Sequence, residues 1–217
     1  MPCELARARH GTDVTLGLLA AAGDCGFSTG AWTEGARLLL DAFERDWVSS
    51  AGAVDVRLEE AFRGATATFG EEAPLLTGDD PTDPPYATLL AAAAHETWVD
   101  VAWVGGARAL VVRQGGRWEQ TQPHTHRELA VAGSPLEGLL SRAIVAGQEP
   151  AIEHARFDLR AGDTILLVSH TSQGPESITA LVGASSGAQA AADAVASGLI
   201  AVPRQPPFAA VVAIVCR

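Results

Sequence analysis

The chain has 217 residues, 47% of them hydrophobic and 19% charged, which is enough apolar material for a buried core and far from a disordered composition. Its 26 acidic residues outweigh 15 basic ones, and the net charge of −11 sets its field against nucleic acids and anionic membranes. All of the basic residues are Arg; Lys and Asn do not occur, and with the abundant Ala and Gly this matches the composition of a high-GC bacterial genome.

In chain order, Val14 to Ala22 is a nearly continuous apolar run that predicts a buried strand, ending in the turn-forming Gly23-Asp24-Cys25-Gly26. Ala36, Leu39, Leu40, Phe43 and Trp47 then recur at helical spacing, with Thr33 as the predicted N-cap and Glu34 in the first turn. A second helix is expected over Asp55 to Phe69, where Val56, Leu58, Ala61, Phe62 and Ala65 share one side. Gly70 to Pro85, rich in Asp, Glu, Pro and Gly, reads as an exposed loop. The period then changes. Ala87 to His95, Trp98 to Val104, Ala107 to Arg113 and Arg117 to Gln122 read as a strand meander, with turns at Gly105-Gly106 and Gln114-Gly115-Gly116. Ser134 to Ala146 is expected to be helical and Ala151 to Leu159 extended. Asp163 to Ser169 reads as a buried strand, Gly187 to Leu199 as an Ala-rich helix, and Phe208 to Cys216 as a closing strand. Hairpins segregated from helices point to α+β, and neither a repeat nor a long linker divides the chain, so one domain over residues 1–217 is expected.

Cys3, Cys25 and Cys216 lie far apart, which suits a reducing cytoplasm better than a disulfide framework. Met1 to Gly11 is polar and Arg-bearing, unlike a signal peptide, and no apolar run reaches the roughly 20 residues a bilayer span needs. The expected location is cytoplasmic.

Several segments resemble, in order, the PPM (type 2C) family of metal-dependent Ser/Thr phosphatases. Leu159-Arg160-Ala161-Gly162-Asp163-Thr164-Ile165-Leu166-Leu167-Val168-Ser169 is similar to that family's Gly-Asp turn and Leu-Leu-x-Ser strand. Trp98 to Ala109 is similar to its hairpin ending Val-Gly-Asp-Ser-Arg, and Tyr86-Ala87-Thr88 stands where the family has Gly-Thr-Thr. Thr121-Gln122-Pro123-His124-Thr125 is similar to its Thr-x-Asp-His-Ser stretch, and Ala20 to Ala36 to the region of its Asp-Gly-x-Gly-Gly turn. Pro206 to Val215 stands where the family has Asp-Asn-x-Thr and an apolar strand. The resemblance covers nearly the whole chain. It implies an αββα sandwich, two antiparallel β-sheets face to face with helices outside.

It also implies two Mn²⁺ or Mg²⁺ ions held by carboxylates at one end of the sandwich, activating a water for attack on phosphorus. Hard dications need oxygen ligands, and several expected ligand positions are vacated here. The Asp-Gly expected after Ser169 is His170-Thr171, the Asp-Asn before the last strand is Pro207-Phe208, and the Asp of the hairpin turn is Gly106. Asp24, in a turn whose Asp-Gly order is reversed, and Asp13, standing for the first-strand Asp, are the residual metal candidates. The family's phosphate-binding Arg falls on Ala8, between Arg7 and Arg9.

Each remaining constellation has a plainer reading beside the chemical one. Asp24 is read as a turn residue before a ligand, His170 as a partly exposed polar residue before a transition-metal or phosphate ligand, and Cys25 as apolar filler before a nucleophile. His124, His126 and Glu128 alternate; on a strand the outer two would stand about 13 Å apart, too far to share a zinc ion. Gly183 to Gly187 lacks the Lys-Ser/Thr ending of a phosphate loop, and the acidic stretch Glu71, Glu72, Asp79, Asp80, Asp83 lacks calcium-loop spacing.

The expectation is therefore a catalytically inactive pseudophosphatase, with no bound metal, acting as a regulatory or protein-binding module in bacterial signalling. Its expected partner is a phosphoprotein or a kinase-linked protein, not nucleic acid or membrane. The alternative is an active phosphatase with a reduced Mn or Mg site built from Asp13, Asp24 and Asp163 or His170.

Overall fold

The structure, a computed structural model, describes residues 5–10, 15–19, 31–77, 85–94, 97–126, 140–168, 174–184, 188–200 and 211–215. Two strands, β1 (Leu5–His10) and β2 (Thr15–Leu19), precede the helices α1 (Ala31–Ser49) and α2 (Val54–Thr77). Then come β3 (Tyr86–Ala87), β4 (Leu89–Ala94), β5 (Trp98–Val104), β6 (Arg108–Val112), β7 (Trp118–Gln120), β8 (Ile144–Val145), β9 (Glu153–Asp158) and β10 (Thr164–Val168). Helices α3 (Pro175–Gly183) and α4 (Ala188–Ile200) lead to β11 (Val211–Val215).

The strands form one antiparallel sheet in the order β1-β2-β4-β5-β9, a second in the order β11-β10-β6-β7, and a small ribbon of β3 with β8. Strand parity shows how they stack, because successive side chains point to opposite faces. On β4, Leu89, Ala91 and Ala93 join Leu39, Phe43, Leu58, Phe62 and Phe69 of α1 and α2, whereas Leu90 and Ala92 turn the other way. There they meet Val99, Val101 and Trp103 of β5 and, from the second sheet, Ala109, Val111, Ile165 and Leu167. The alternate residues of that sheet, Leu110, Val112, Leu166 and Val168, pack on Ile178, Val182, Ala191 and Val195 of α3 and α4. Three apolar clusters thus fill three interfaces, helix on sheet, sheet on sheet and sheet on helix, and the architecture is an αββα sandwich.

Burial on both faces explains why β4 reads as an unbroken apolar run and β5 as one interrupted at Asp100, rather than as alternating strands. The helix pair is locked by Phe62 edge-on to Phe43 at 6.4 Å, and by the Arg57 guanidinium 4.3 Å above Trp47, whose carbonyl it also reaches at 2.9 Å.

Several local expectations need correction. β1 carries no apolar run and was not expected. Helix α1 begins at Ala31, so Thr33 lies inside its first turn rather than capping it. Helix α2 continues through Pro74 to Thr77, because Ala73 stays in register with Phe69, four residues earlier, and both are fully buried; half of the expected acidic loop is helix. The described part of Ser134 to Ala146 is not helical: β-branched Ile144-Val145 pairs with Tyr86-Ala87. Helix α3 was missed. Most consequentially, β5 and β6 do not form a hairpin. Gly105-Gly106-Ala107 carries the chain from one sheet to the other, and the two strands pair with different neighbours.

Candidate functional site

The sheet-to-sheet corner fixes one end of the sandwich. In the first sheet, Leu19, where the chain leaves β2, pairs with Leu90, which pairs with Trp103 near the end of β5. In the second, Arg108 at the start of β6 pairs with Val168 at the end of β10, which pairs with Val211 at the start of β11. The described ends of the strands that lead to Asp24, His170 and Pro207 therefore gather around Gly105-Gly106, whereas the strand ends on either side of Asp13, His10 and Thr15, lie at the opposite end of the first sheet, where Thr15 pairs with Ala94 and Ala94 with Val99.

Of the sequence candidates, Gly106 is described, and it is buried in this corner. Asp13, Asp24, His170 and Pro207 lie outside the described residues, as do Cys25 and Glu128. His124 and His126 do not alternate on a strand: they lie in the irregular segment after β7, His124 buried and His126 half-buried.

The corner is closed by backbone geometry and by His124. Gly105 has φ +110°, a conformation that favours glycine, and a Cβ built there would overlap the side chain of buried Thr88. The Gly105 N–H donates to His124 Nδ1 at 3.0 Å, and the His124 N–H donates back to the Gly105 carbonyl at 2.9 Å. Because Nδ1 accepts, the neutral imidazole carries its proton on Nε2, which faces Glu153 Oε1 at 3.3 Å. Glu153 is also ion-paired with Arg142. Trp103 stacks on the imidazole, with ring centres 5.9 Å apart, and its indole N–H donates to the Gln122 carbonyl at 3.0 Å. Burial holds the His124 imidazolium pKa below its ordinary value, against the opposing pull of Glu153. Glu153 stays below the ordinary carboxylate value despite its own desolvation, because His124 and Arg142 stabilise the anion.

Among the described residues, the donors at this corner are not those of a pair of hard dications. Gly106 has no side-chain ligand, His124 offers a nitrogen already taken by Gly105, and Glu153 is committed to Arg142 and His124. Buried Arg108 adds a positive charge beside it. Among the described residues no cluster of three or more His, Cys, Asp or Glu is placed to hold a metal.

Asp163, weighed as a contributor to a rearranged site, stands at the other end of β10. It precedes Thr164, five residues or about 16 Å from the Gly106 end. There its buried carboxylate accepts from the Arg160 N–H at 2.8 Å and is ion-paired with Arg113. The Asp163 N–H closes the turn onto the Arg160 carbonyl at 3.0 Å, with Gly162 at φ +86°. Arg113 in turn donates to the Asp158 carbonyl at 2.6 Å and to Glu119 Oε1 at 2.6 Å. Sequence reasoning missed both this cluster and the His124–Glu153–Arg142 group. Each is joined across a long stretch of chain, Arg113 to Asp163 and His124 to Glu153, and the single-sequence pattern carries no pairing signal over such separations. The one available hint was the Thr121 to Thr125 motif, which is where the corner is sewn to the next segment.

No family profile and no curated protein sequence matches the chain. Solved structures do. PppA of Pseudomonas aeruginosa, described as a key regulatory component of T6SS, is 22% identical, with a TM-score of 0.71 over 92% of this chain and 86% of that one. The serine/threonine phosphatase PstP/Ppp of Mycobacterium tuberculosis is 19% identical, with a TM-score of 0.69 over 100% and 98%. The catalytic domain of PstP is also known in complex with 2 manganese ions. Stp1 of Staphylococcus aureus, a serine/threonine phosphatase, is 13% identical, with a TM-score of 0.75 over 100% and 88%. At these identities the likeness is one of architecture. The chain has the fold of the PPM-type Ser/Thr phosphatases.

Proposed function

We propose that the chain is a catalytically inactive PPM-type pseudophosphatase, a regulatory, protein-binding module of bacterial signalling. In this reading it acts as a single domain over residues 1–217 in the cytoplasm and works without a bound metal. Its partner is a phosphoprotein or a kinase-linked protein. The observation that carries the reading is the corner itself. A glycine stands where the family's hairpin motif has Asp, in a turn closed by Thr88 and His124 rather than opened toward a ligand. His170 and Pro207 replace two further family carboxylates in sequence and support the same conclusion. The charge of −11 disfavours nucleic acid and anionic membrane as partners, and among the described residues no helix is long and apolar enough to cross a bilayer. The regulatory role described for PppA is compatible with a protein partner.

The test is phosphate release from phosphoserine and phosphothreonine peptides in millimolar Mn²⁺ or Mg²⁺. The reading predicts no turnover above a boiled control. Metal-stimulated turnover abolished by Asp24→Ala or Asp13→Ala would instead establish the reduced-site phosphatase.

A further inference from the structure

At the end of the sandwich away from Gly106, a cleft of about 930 Å³ is lined by β7, the β6–β7 turn, β9 and the Arg160 to Asp163 turn. That is the size of a small-ligand site. Four of the chain's 15 basic residues, Arg113, Arg117, Arg156 and Arg160, border it.

Their charges are not equivalent. Arg113 is held between Asp163 and Glu119, and Arg156 is paired with Asp100 at 2.6 Å. Those carboxylates are therefore committed. Arg117 and Arg160 are exposed and have no side-chain partner among the described residues, and Asp158 is the uncommitted carboxylate that faces them. With Asp100 counted, four carboxylates balance the four guanidinium groups, so the cleft is locally neutral in a chain whose net charge is −11, and Arg117 and Arg160 are the guanidinium groups in it that no described carboxylate holds. Half-buried Trp118 adds a flat wall, and the left-handed glycines Gly115 (φ +86°) and Gly116 (φ +81°) leave the turn open, with no atom within 4 Å of where a Cβ would stand.

We propose that this cleft binds a phosphoryl oxyanion, gripped by the Arg117 and Arg160 guanidinium groups against a rigid wall set by the Arg113–Asp163 pair. Guanidinium suits this role because its planar fork of N–H donors matches phosphate oxygens two at a time, and it is charged at every working pH. The wall matters because Arg113 is pinned by three acceptors at once, so the turn that presents Arg160 is fixed before any ligand arrives. The site is independent of the Gly106 corner, from which the length of β10 separates it. Two sources carry the required group, a small free phosphate and a phosphorylated side chain of a protein.

The experiment titrates the whole chain at low ionic strength with pyrophosphate, with a phosphoserine peptide and with the same peptide unphosphorylated. Amide shifts of residues 113–118 and 158–163 are followed by NMR. The proposal expects saturable shifts in those amides with at least one phosphate source, and affinity weakened about tenfold or more in Arg117→Gln/Arg160→Gln. Both residues are exposed, so the variant's melting midpoint should match the parent's, and each single variant should show part of the loss. Saturation by the phosphopeptide alone assigns the site to a protein partner; saturation by pyrophosphate assigns it to a small phosphate. No saturable shift with either source, equal binding of the unphosphorylated peptide, or undiminished affinity in the double variant would overturn it.

Discussion

The two ends of this sandwich are built on opposite principles. At the Gly106 end the chain passes between sheets through a glycine corner, shut by van der Waals contact with Thr88 and by a neutral imidazole. At the Asp163 end a carboxylate and a guanidinium are locked together beside an open cleft lined with arginine. Both ends carry segments that resemble phosphatase motifs, yet they differ in what has been kept. The Gly-Asp turn at Gly162-Asp163 has an architectural task, capping its own turn and anchoring Arg113, and it survives intact. The hairpin Asp replaced by Gly106 would have offered a ligand, and its replacement leaves the framework standing. On the proposed reading, the fold loses its chemistry while keeping the residues that hold its strands in place.

The contrast can be broken most severely at the corner. Gly105→Ala puts a Cβ into Thr88 at a left-handed φ, and a loss of about 3 kcal/mol or more in urea unfolding is expected. The double variant with Thr88→Gly should recover the steric part and leave the backbone part. Recovery of nothing would mean that Thr88 does not close the corner.

At the other end, Asp163→Ala removes the partner of half-sequestered Arg113 and the acceptor of the Arg160 N–H. The expected loss is about 2 kcal/mol. Asp163→Asn keeps the backbone acceptor and should lose less. Neither change should alter the Gly106 corner, so a variant that perturbs His124 amide or ring signals would argue against two separate ends.

His124→Gln is next, at about 1–2 kcal/mol, because the Gly105 N–H loses its acceptor geometry in a buried place. It also has a pH signature. The imidazolium pKa is lower in the folded chain than its ordinary 6.5, so the unfolded chain takes up the proton first as pH falls. The contribution is complete above about 6.5 and is lost as pH falls through the lowered folded value. Glu153, depressed below its ordinary 4.5, adds a second loss in the same direction at lower pH. A urea midpoint that is flat from pH 7.5 down to 5 in the parent chain would contradict the geometry; in His124→Gln the upper part of the slope should vanish.

The smallest effect belongs to the exposed pairs. Arg63 bridges Glu59 and Glu149 in full solvent, and Arg63→Ala should leave the melting midpoint unchanged at physiological salt.

Much of the scaffold could be read from one sequence because burial leaves its mark, as apolar runs in the strands and as helical spacing in the helices. The strands around Trp98 to Val104 and Thr164 to Val168 and the helical faces of Leu39 to Trp47 and Leu58 to Ala65 carry that mark plainly. What escaped was set by contacts distant in sequence. Ile144-Val145 is extended because Tyr86-Ala87 lies beside it, and α2 runs through Pro74 because Ala73 finds a place in the core. The glycine turn at residues 105 and 106 announced a reversal but not which sheet would receive the chain, since a hairpin and a sheet-to-sheet corner use the same residues. Of the site, the sequence carried the resemblance that sets Gly106, His170 and Pro207 where the phosphatase motifs have carboxylates; it carried no sign that His124 and Thr88 close the corner.

Calorimetric titration of chelator-stripped protein with Mn²⁺ tests the central claim most directly. The account predicts no pair of micromolar sites, only weak surface binding in the millimolar range. Two micromolar sites would contradict it, showing that the chain assembles a two-metal centre from carboxylates outside the PPM motif positions.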